Sequence, residues 1–382
     1  MIHRHCYKGL RKPLAVLALI LPVTATAEPA DPWQTFVREL TRAGEVMSRE
    51  ETPKDPITQA EGYRYLSRLI RRGLETGLEF DDPAHPHLFR ANTRSMLTGG
   101  TTADAIYVHG FIDGSRTYKI RGDRGTAPLM EFTVYSGMLG LHPNSKKLGA
   151  LTEEALAVEA DGSYEVVLSP KPHPGNWIRT DPDVRYVFIR QYTHDWSATR
   201  PATHRIEVVG EESLPAPLRV AEVRDGLQTA AKYVRNGALV WARIVDRARK
   251  LPANMLVAIP EEGDTTMPAG HKFASGHFEL AADEALVMEF EPPEAPYWGV
   301  QLTNYWFEPV DYGGTGAHVN NRSARFKADG SVRLVIAHAA RLADPNWLST
   351  GGRTVGTMQF RLSRSSAPVP AISTRVVKLS EL

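Results

Sequence analysis

Val332, Leu334, Ile336 and His338 share one face of an alternating run, so an imidazole follows three apolar side chains along a strand. Carried to the mouth of a β-sandwich, such a histidine is partly desolvated. An imidazole so placed suits a general acid, a general base or a hydrogen-bond donor. The alternative is a core histidine satisfied by a backbone carbonyl, and the residue type alone admits both. Candidate partners are Asn320 and Asn321 in "HVNNRS", and Asn346, Trp347 and Asp344 in the loop beyond His338. Neutral amides beside an indole wall suit an uncharged, partly apolar ligand better than a phosphate. Asn304 and Trp306 extend this ligand-binding set from the aromatic run Tyr297, Trp298, Tyr305, Trp306, Phe307 and Tyr312. Alternation sends Trp298, Val300, Leu302, Asn304 and Trp306 to one face, and Tyr297, Gln301, Thr303, Tyr305 and Phe307 to the other. Cross-strand aromatic packing explains that run better than a sugar-stacking platform.

Other chemistries find less support. His271, His277, His318 and His338 could be gathered around an ion, but their spacing matches no compact ligand motif. No HExxH, CxxC or GxSxG is present, and "GGTG" at Gly313 to Gly316 lacks the lysine of a phosphate loop. Asp283, Glu284, Glu289, Glu291 and Glu294 read as a solvated acidic edge that discourages strand-to-strand aggregation. No metal and no cofactor is therefore expected. The readings that remain are a small-molecule binding protein, a metal-free hydrolase, lyase or isomerase using His338, and an envelope structural or assembly factor.

The elements that must position these residues come twice. "DGSYEVVLSPKPHPGNWIRTDPDVRYVFIRQY" (Asp161 to Tyr192) aligns with "DGSVRLVIAHAARLADPNWLSTGGRTVGTMQFRLS" (Asp329 to Ser363) across small gaps. In each, an Asp-Gly-Ser turn opens an alternating strand, a Pro-containing loop ends in Asn-Trp, and a second strand ends in Arg190 or Arg361. This is an internal duplication of a β unit. Trp177 and Trp347 would plug the ends of two sandwiches while Asn176 and Asn346 bond the preceding loop. The expected fold is mainly β with added α: two β-sandwich or jelly-roll-like lobes, an amino-terminal helical region and a connecting helix. The expected divisions are a signal peptide at 1–27, helices over 28–100, a first lobe at 101–210, a helical connection at 211–252 and a second lobe at 253–382. The connecting helix carries a stripe of Val220, Val223, Leu227, Val234, Ala238, Trp241 and Val245.

Arg4, Lys8, Arg11 and Lys12 precede the apolar run "LAVLALIL", and "ATA" at Ala25 to Ala27 supplies small residues for a signal peptidase. The pattern predicts cleavage after Ala27 and a periplasmic or secreted protein with no permanent membrane span, for which about 20 apolar residues are needed. Cleavage removes those four basic side chains, taking the formal charge from +1 to −3. A near-neutral chain lacks the basic footprint of a nucleic-acid binder. Cys6, the one cysteine, leaves with the leader.

"LAADEALVMEFEPPEAPYWGVQLTNYWFEPVDY" followed by "HVNNRSARFKADGSVRLVIAHAARLADPNWLSTGG" resembles the bacterial family catalogued as domain of unknown function 1214. "AEGYRYLSRLI" and "IYVHGFIDGSRTYKIRGDRGT" resemble the amino-terminal part of its longer members, so the resemblance covers most of the chain. It implies a β-rich fold with added helices and no assigned activity. Family members often read Thr-Ala-Gly-His after the Asn-Trp element. Here the stretch is "STGGR", with Gly352 and Arg353, so a role for that histidine does not carry over.

Overall fold

Asp55 accepts a hydrogen bond from the Thr58 amide at 3.0 Å, and Pro56 takes the first helical position. This capped start separates helix α1 (Pro32–Gly44) from α2 (Pro56–Leu74), at the break that Pro53 and Pro56 predict. The computed structural model describes residues 31–142, 144–210, 214–260, 270–314 and 316–382. The expected leader over 1–27 lies outside them. The third helix, α3 (Val220–Ala248), buries Leu227, Val234, Ala238, Trp241 and Val245 of the predicted stripe and packs against α1 and α2. Val220 stays 81% exposed at its open end.

The first lobe holds strands β1 (Phe89–Arg90), β2 (Ala105–Phe111), β3 (Tyr118–Asp123), β4 (Leu129–Tyr135), β5 (Lys147–Thr152), β6 (Ser163–Ser169), β7 (Trp177–Arg179), β8 (Tyr186–Tyr192) and β9 (Arg205–Val208). The second holds β10 (Val257–Ala258), β11 (Lys272–Glu279), β12 (Glu284–Phe290), β13 (Tyr297–Thr303), β14 (His318–Asn320), β15 (Val332–Ala337), β16 (Trp347–Ser349), β17 (Val355–Ser363) and β18 (Ser373–Lys378). Their sheets run β1-β2-β8-β4-β5 and β7-β6-β3-β9 in the first lobe, β10-β11-β17-β13-β14 and β16-β15-β12-β18 in the second. Each strand of the second lobe takes the place of the one nine labels earlier, so the duplication extends to both sheets in full. Among the described residues the fold is mainly β with added helices, as expected. It differs in one boundary, since β1 already joins the first lobe's sheet within the stretch expected to be helical.

Each lobe is a sandwich whose core lies between its five-stranded and four-stranded sheets. Val108, Phe132, Val134, Val166 and Ile189 fill the first; Met288, Val300, Leu334, Ile336 and Phe360 fill the second. Period-two alternation then turns the other residues of each five-stranded sheet away from its own sandwich. Those outer faces meet the helices and each other. Tyr135, Tyr186, Tyr233, Trp241, Tyr305 and Trp306 belong to the core formed there. Among the described residues, no helix is long and apolar enough to cross a membrane.

One expected alternation ends early. Strand β13 stops at Thr303, because the Asn304 side-chain oxygen accepts hydrogen bonds from the amides of Trp306 (3.0 Å) and Glu308 (2.9 Å). This Asx-type turn carries Phe307 to φ +61° and takes Asn304 and Trp306 out of the strand face on which period two had placed them.

Candidate functional site

The repeated Asn-Trp pair does the same work in both lobes. Asn176 donates to the carbonyls of Ala157 (2.8 Å) and Glu165 (2.9 Å) and accepts from the Ala157 amide (2.7 Å). Asn346 donates to Arg325 (2.7 Å) and Arg333 (2.9 Å) and accepts from the Arg325 amide (2.8 Å). Trp177 and Trp347 donate their indole N–H to Ser169 (3.0 Å) and Ala339 (2.7 Å). Both pairs fix β7 and β16 as parallel edge strands beside β6 and β15. Asn346→Ala leaves three main-chain groups without that partner, and a loss of about 2 kcal/mol in urea-unfolding free energy is expected. An unchanged midpoint would show that water replaces the amide.

The other sequence candidates are held in separate neighbourhoods. His338 stands one residue beyond β15, half-buried, with Nε2 3.0 Å from the Leu280 carbonyl oxygen. That is the backbone-satisfied histidine of the second sequence reading, without a carboxylate or nucleophile in the bond. Asn320 on β14 donates to Asp104 and to the His194 carbonyl, both at 3.0 Å, and accepts from the Arg322 and Ser323 amides. Asn321 donates to Pro296 at 3.3 Å, while Asn304 closes its own turn. Trp306 donates to Thr58 on α2 at 2.9 Å and stacks on Tyr65 with centroids 5.1 Å apart. Every amide expected to face a ligand already serves the chain. Arg353, where the family pattern has histidine, pairs with Glu61 on α2 and so ties its loop to that helix.

The residues that do converge lie between the lobes, on the outer faces of the five-stranded sheets. On β2 and β8 alternation brings out Tyr107, His109, Phe188, Arg190 and Tyr192; on β4 it brings out Glu131, Thr133 and Tyr135. Opposite them, β11 and the residue before it present His271 and Phe273, and β17 presents Gln359, Arg361 and Ser363. The segment 98–104 runs between the two sets. Tyr107 donates to Thr102 at 2.8 Å, Gln301 of β13 donates to the Thr101 carbonyl at 3.1 Å, and Arg361 donates to the Gly100 carbonyl. Gly99 and Gly100 have φ of +68° and +63°, and a Cβ on Gly100 would lie 2.1 Å from the Phe307 ring. Only glycine fits this doubly left-handed step without strain.

Arg190 is 6% exposed and donates to Glu131 (3.1 Å), Thr133 (3.3 Å) and the Tyr135 hydroxyl (3.0 Å), with its guanidinium 3.9 Å from the Phe188 ring centroid. His271 reaches Glu131 through Nε2 at 3.2 Å and Ser363 through Nδ1 at 3.2 Å. Burial would raise the Glu131 pKa, but the His271 hydrogen bond and the Arg190 charge outweigh it and hold it below the usual carboxylate value. Glu131, His271 and Ser363 have the residue types of a hydrolytic triad. Ser363 is 1% exposed, however, so no acyl group reaches its hydroxyl, and the chain of bonds acts as a brace from the first lobe to the second. On the same face, burial first and the charges of Arg72 and Arg190 second push the His109 pKa well below the usual imidazole value.

Half-buried surfaces distinguish this region from the surrounding core. Tyr107, Phe188, Phe273 and Arg361 all retain accessible surface although they face the lobe interface. Sequence reasoning missed them as a site. The available signal was an arginine in each duplicated strand, Arg190 and Arg361, on the face opposite the apolar core. No group of metal-ligating side chains capable of holding an ion occurs among the described residues.

Comparisons with known proteins place the chain without adding an activity. The model of the family described as "Protein of unknown function (DUF1214)" matches residues 108–195 and 271–366, one segment in each lobe. A crystal structure of an uncharacterised protein from Burkholderia cenocepacia is 35% identical with a TM-score of 0.87, covering 92% of this chain and 98% of that one. A protein from Vibrio parahaemolyticus is 12% identical with a TM-score of 0.46, covering 89% of this chain and 100% of that one. No curated protein matches the chain.

Proposed function

From the premise that this chain belongs to the DUF1214 family, which carries no assigned activity, we propose that it binds a small, partly apolar molecule between its two lobes. The observation that carries the reading is a set of three half-buried rings on the outer sheet faces, Tyr107 and Phe188 from one copy and Phe273 from the other, with Tyr107 bonded to Thr102 and the Phe273 neighbour Arg361 bonded to Gly100. Aromatic walls with a few placed polar groups are the usual composition of a small-molecule site. The candidate moves from the second lobe to the lobe interface because the amides of the second lobe are already occupied. Binding rather than catalysis is favoured, since His338 bonds a carbonyl and Ser363 is shut away.

Saturation-transfer NMR with phenol, indole and benzamide tests the reading on the full chain. Signals are expected for the wild type and are expected to vanish in Phe188→Trp and Phe273→Trp, whose larger rings occupy the same space. Absence of any transfer to the wild type, or equal transfer to both variants, refutes it.

A further inference from the structure

The duplication supplies a controlled comparison inside one molecule. In the first lobe Arg190 on β8 lies across from Tyr107 on β2 and from Glu131 on β4. In the second, Arg361 on β17 lies across from Phe273 on β11 and from Gly299 on β13. The two arginines therefore hold equivalent register positions, each with an aromatic neighbour on one side. They differ on the other side, where the carboxylate of the first lobe becomes a glycine. No carboxylate fits there, because a Cβ on Gly299 would lie 2.5 Å from the Tyr297 hydroxyl oxygen.

The consequence is a charge without its counter-charge. Arg361 donates through Nη2 to the Gly100 carbonyl and to the Gln359 amide oxygen at 2.8 Å. Its Nε is buried with no acceptor, and among the described residues no hydrogen bond is made by Nη1 and no carboxylate comes within ion-pair distance. The guanidinium carbon is 5.2 Å from the Phe273 centroid. A guanidinium cannot shed its proton, so desolvating it without an anion costs free energy that the chain does not recover internally. Tyr192 and Tyr297, which feel the Arg361 charge, are phenols that burial keeps protonated, and the buried Asp104 beside Tyr297 is committed to Tyr297, Asn320 and His318. Glu131, the carboxylate of the equivalent position in the first lobe, is committed to Arg190 and His271.

Resting on the lobe-interface reading above, we infer that the ligand is an organic anion, a carboxylate with an apolar or aromatic body, whose charge is completed by Arg361. The carboxylate accepts charge-assisted hydrogen bonds from Nη1, the guanidinium nitrogen that is not buried and makes no bond of its own among the described residues. Its body lies against Phe273 on one wall and Tyr107 and Phe188 on the other. This replaces the uncharged ligand expected from Asn320 and Asn346. Arg190, with its own carboxylate, supplies a stacked and neutralised counterpart that offers shape without net charge.

The test compares benzoate and hexanoate with the neutral isosteres benzamide and hexanamide at fixed ionic strength, by thermal unfolding and titration calorimetry. The full chain is used as wild type, Arg361→Gln and Arg361→Lys. At least one acid is expected to bind the wild type about tenfold or more tightly than its amide. That preference is expected to disappear in Arg361→Gln and to persist in weakened form in Arg361→Lys, which keeps the charge but loses the planar donor array. Should Arg361→Gln not fold, the Arg361→Lys comparison decides. Equal affinity for acids and amides in all three proteins overturns the anion inference and leaves the lobe-interface site standing. No binding of any of the four by the wild type overturns the inference, and joined to silent phenol and indole spectra it overturns the site itself.

Discussion

Replacing Arg190 by methionine is expected to lower the unfolding free energy by about 3–5 kcal/mol, the usual cost of stripping one partner from a buried ion pair. Methionine refills much of the volume and the contact with Phe188, so the loss isolates charge and hydrogen bonding from packing. Glu131, 3% exposed in the wild type, would keep His271 as its remaining hydrogen-bond partner, and the Tyr135 and Thr133 hydroxyls would each lose a donor. The double variant Arg190→Met/Glu131→Gln is expected to recover part of the loss, because the amide carries no charge to desolvate. Urea unfolding of the four proteins of this cycle measures the coupling. A cost under about 1 kcal/mol for Arg190→Met alone would mean that water reaches Glu131 freely and that the brace between the lobes is no brace.

Stability is also expected to fall as pH drops from about 6.5, well before the carboxylates titrate. His204 is pushed down to about 4, by burial first and by Arg124 second. Its Nε2 accepts from the Gln191 amide nitrogen at 2.7 Å, and Gln191 is fixed in that orientation by accepting from the Ala202 amide at 2.7 Å. Protonation would set two donors face to face. The unfolded chain takes up a proton near pH 6.5 and the folded chain only near 4, so between these values unfolding binds a proton and acid destabilises the fold. Over that interval one group contributes about 3 kcal/mol, and below it the contribution levels off. His109, whose pKa burial, Arg72 and Arg190 depress well below the usual value, adds in the same direction. His318 is shifted the other way: burial opposes the shift, but the Asp104 charge and hydrogen bond prevail. Its contribution is complete below the unfolded value and is lost only as pH rises through the folded one. Urea midpoints at pH 7.5, 6, 5 and 4.5 for the wild type and His204→Gln check this. Parallel slopes for the two proteins would remove His204 as a cause.

The architecture was legible wherever a local pattern repeated. Asp-Gly-Ser turns, alternating runs and the Asn-Trp pair appear twice, and those segments are equivalent in the two sandwiches. The proline break and the α3 stripe were legible because capping and helical periodicity act within a few residues. The site was not, for a physical reason. Residues from 98 to 104, 107, 188, 273 and 361 are brought together by packing one lobe on the other, and no short spacing records that contact. His338 illustrates the opposite error. Its period-two phase was read correctly up to Ile336, but the strand ends at Ala337, and an imidazole past a strand end takes the nearest carbonyl, that of Leu280. Asn304 and Trp306 failed the same way, since an Asx turn reset the alternation at Thr303.

The attachments of α2 reach across almost the whole chain. Its Thr58 carbonyl waits for Trp306, 248 positions downstream, and its Glu61 for Arg353, 292 positions downstream. A chain emerging amino end first makes α2 long before either partner exists. Until then α2 has α3 to pack against, through Tyr65 and Leu69, but lacks its anchors in the second lobe. Closure of loops this long carries an entropy cost before any contact compensates it, which places the helices among the last parts to be secured and makes refolding slow. Each β lobe pairs strands of its own copy, whereas α2 is fully secured only when the second copy has been made.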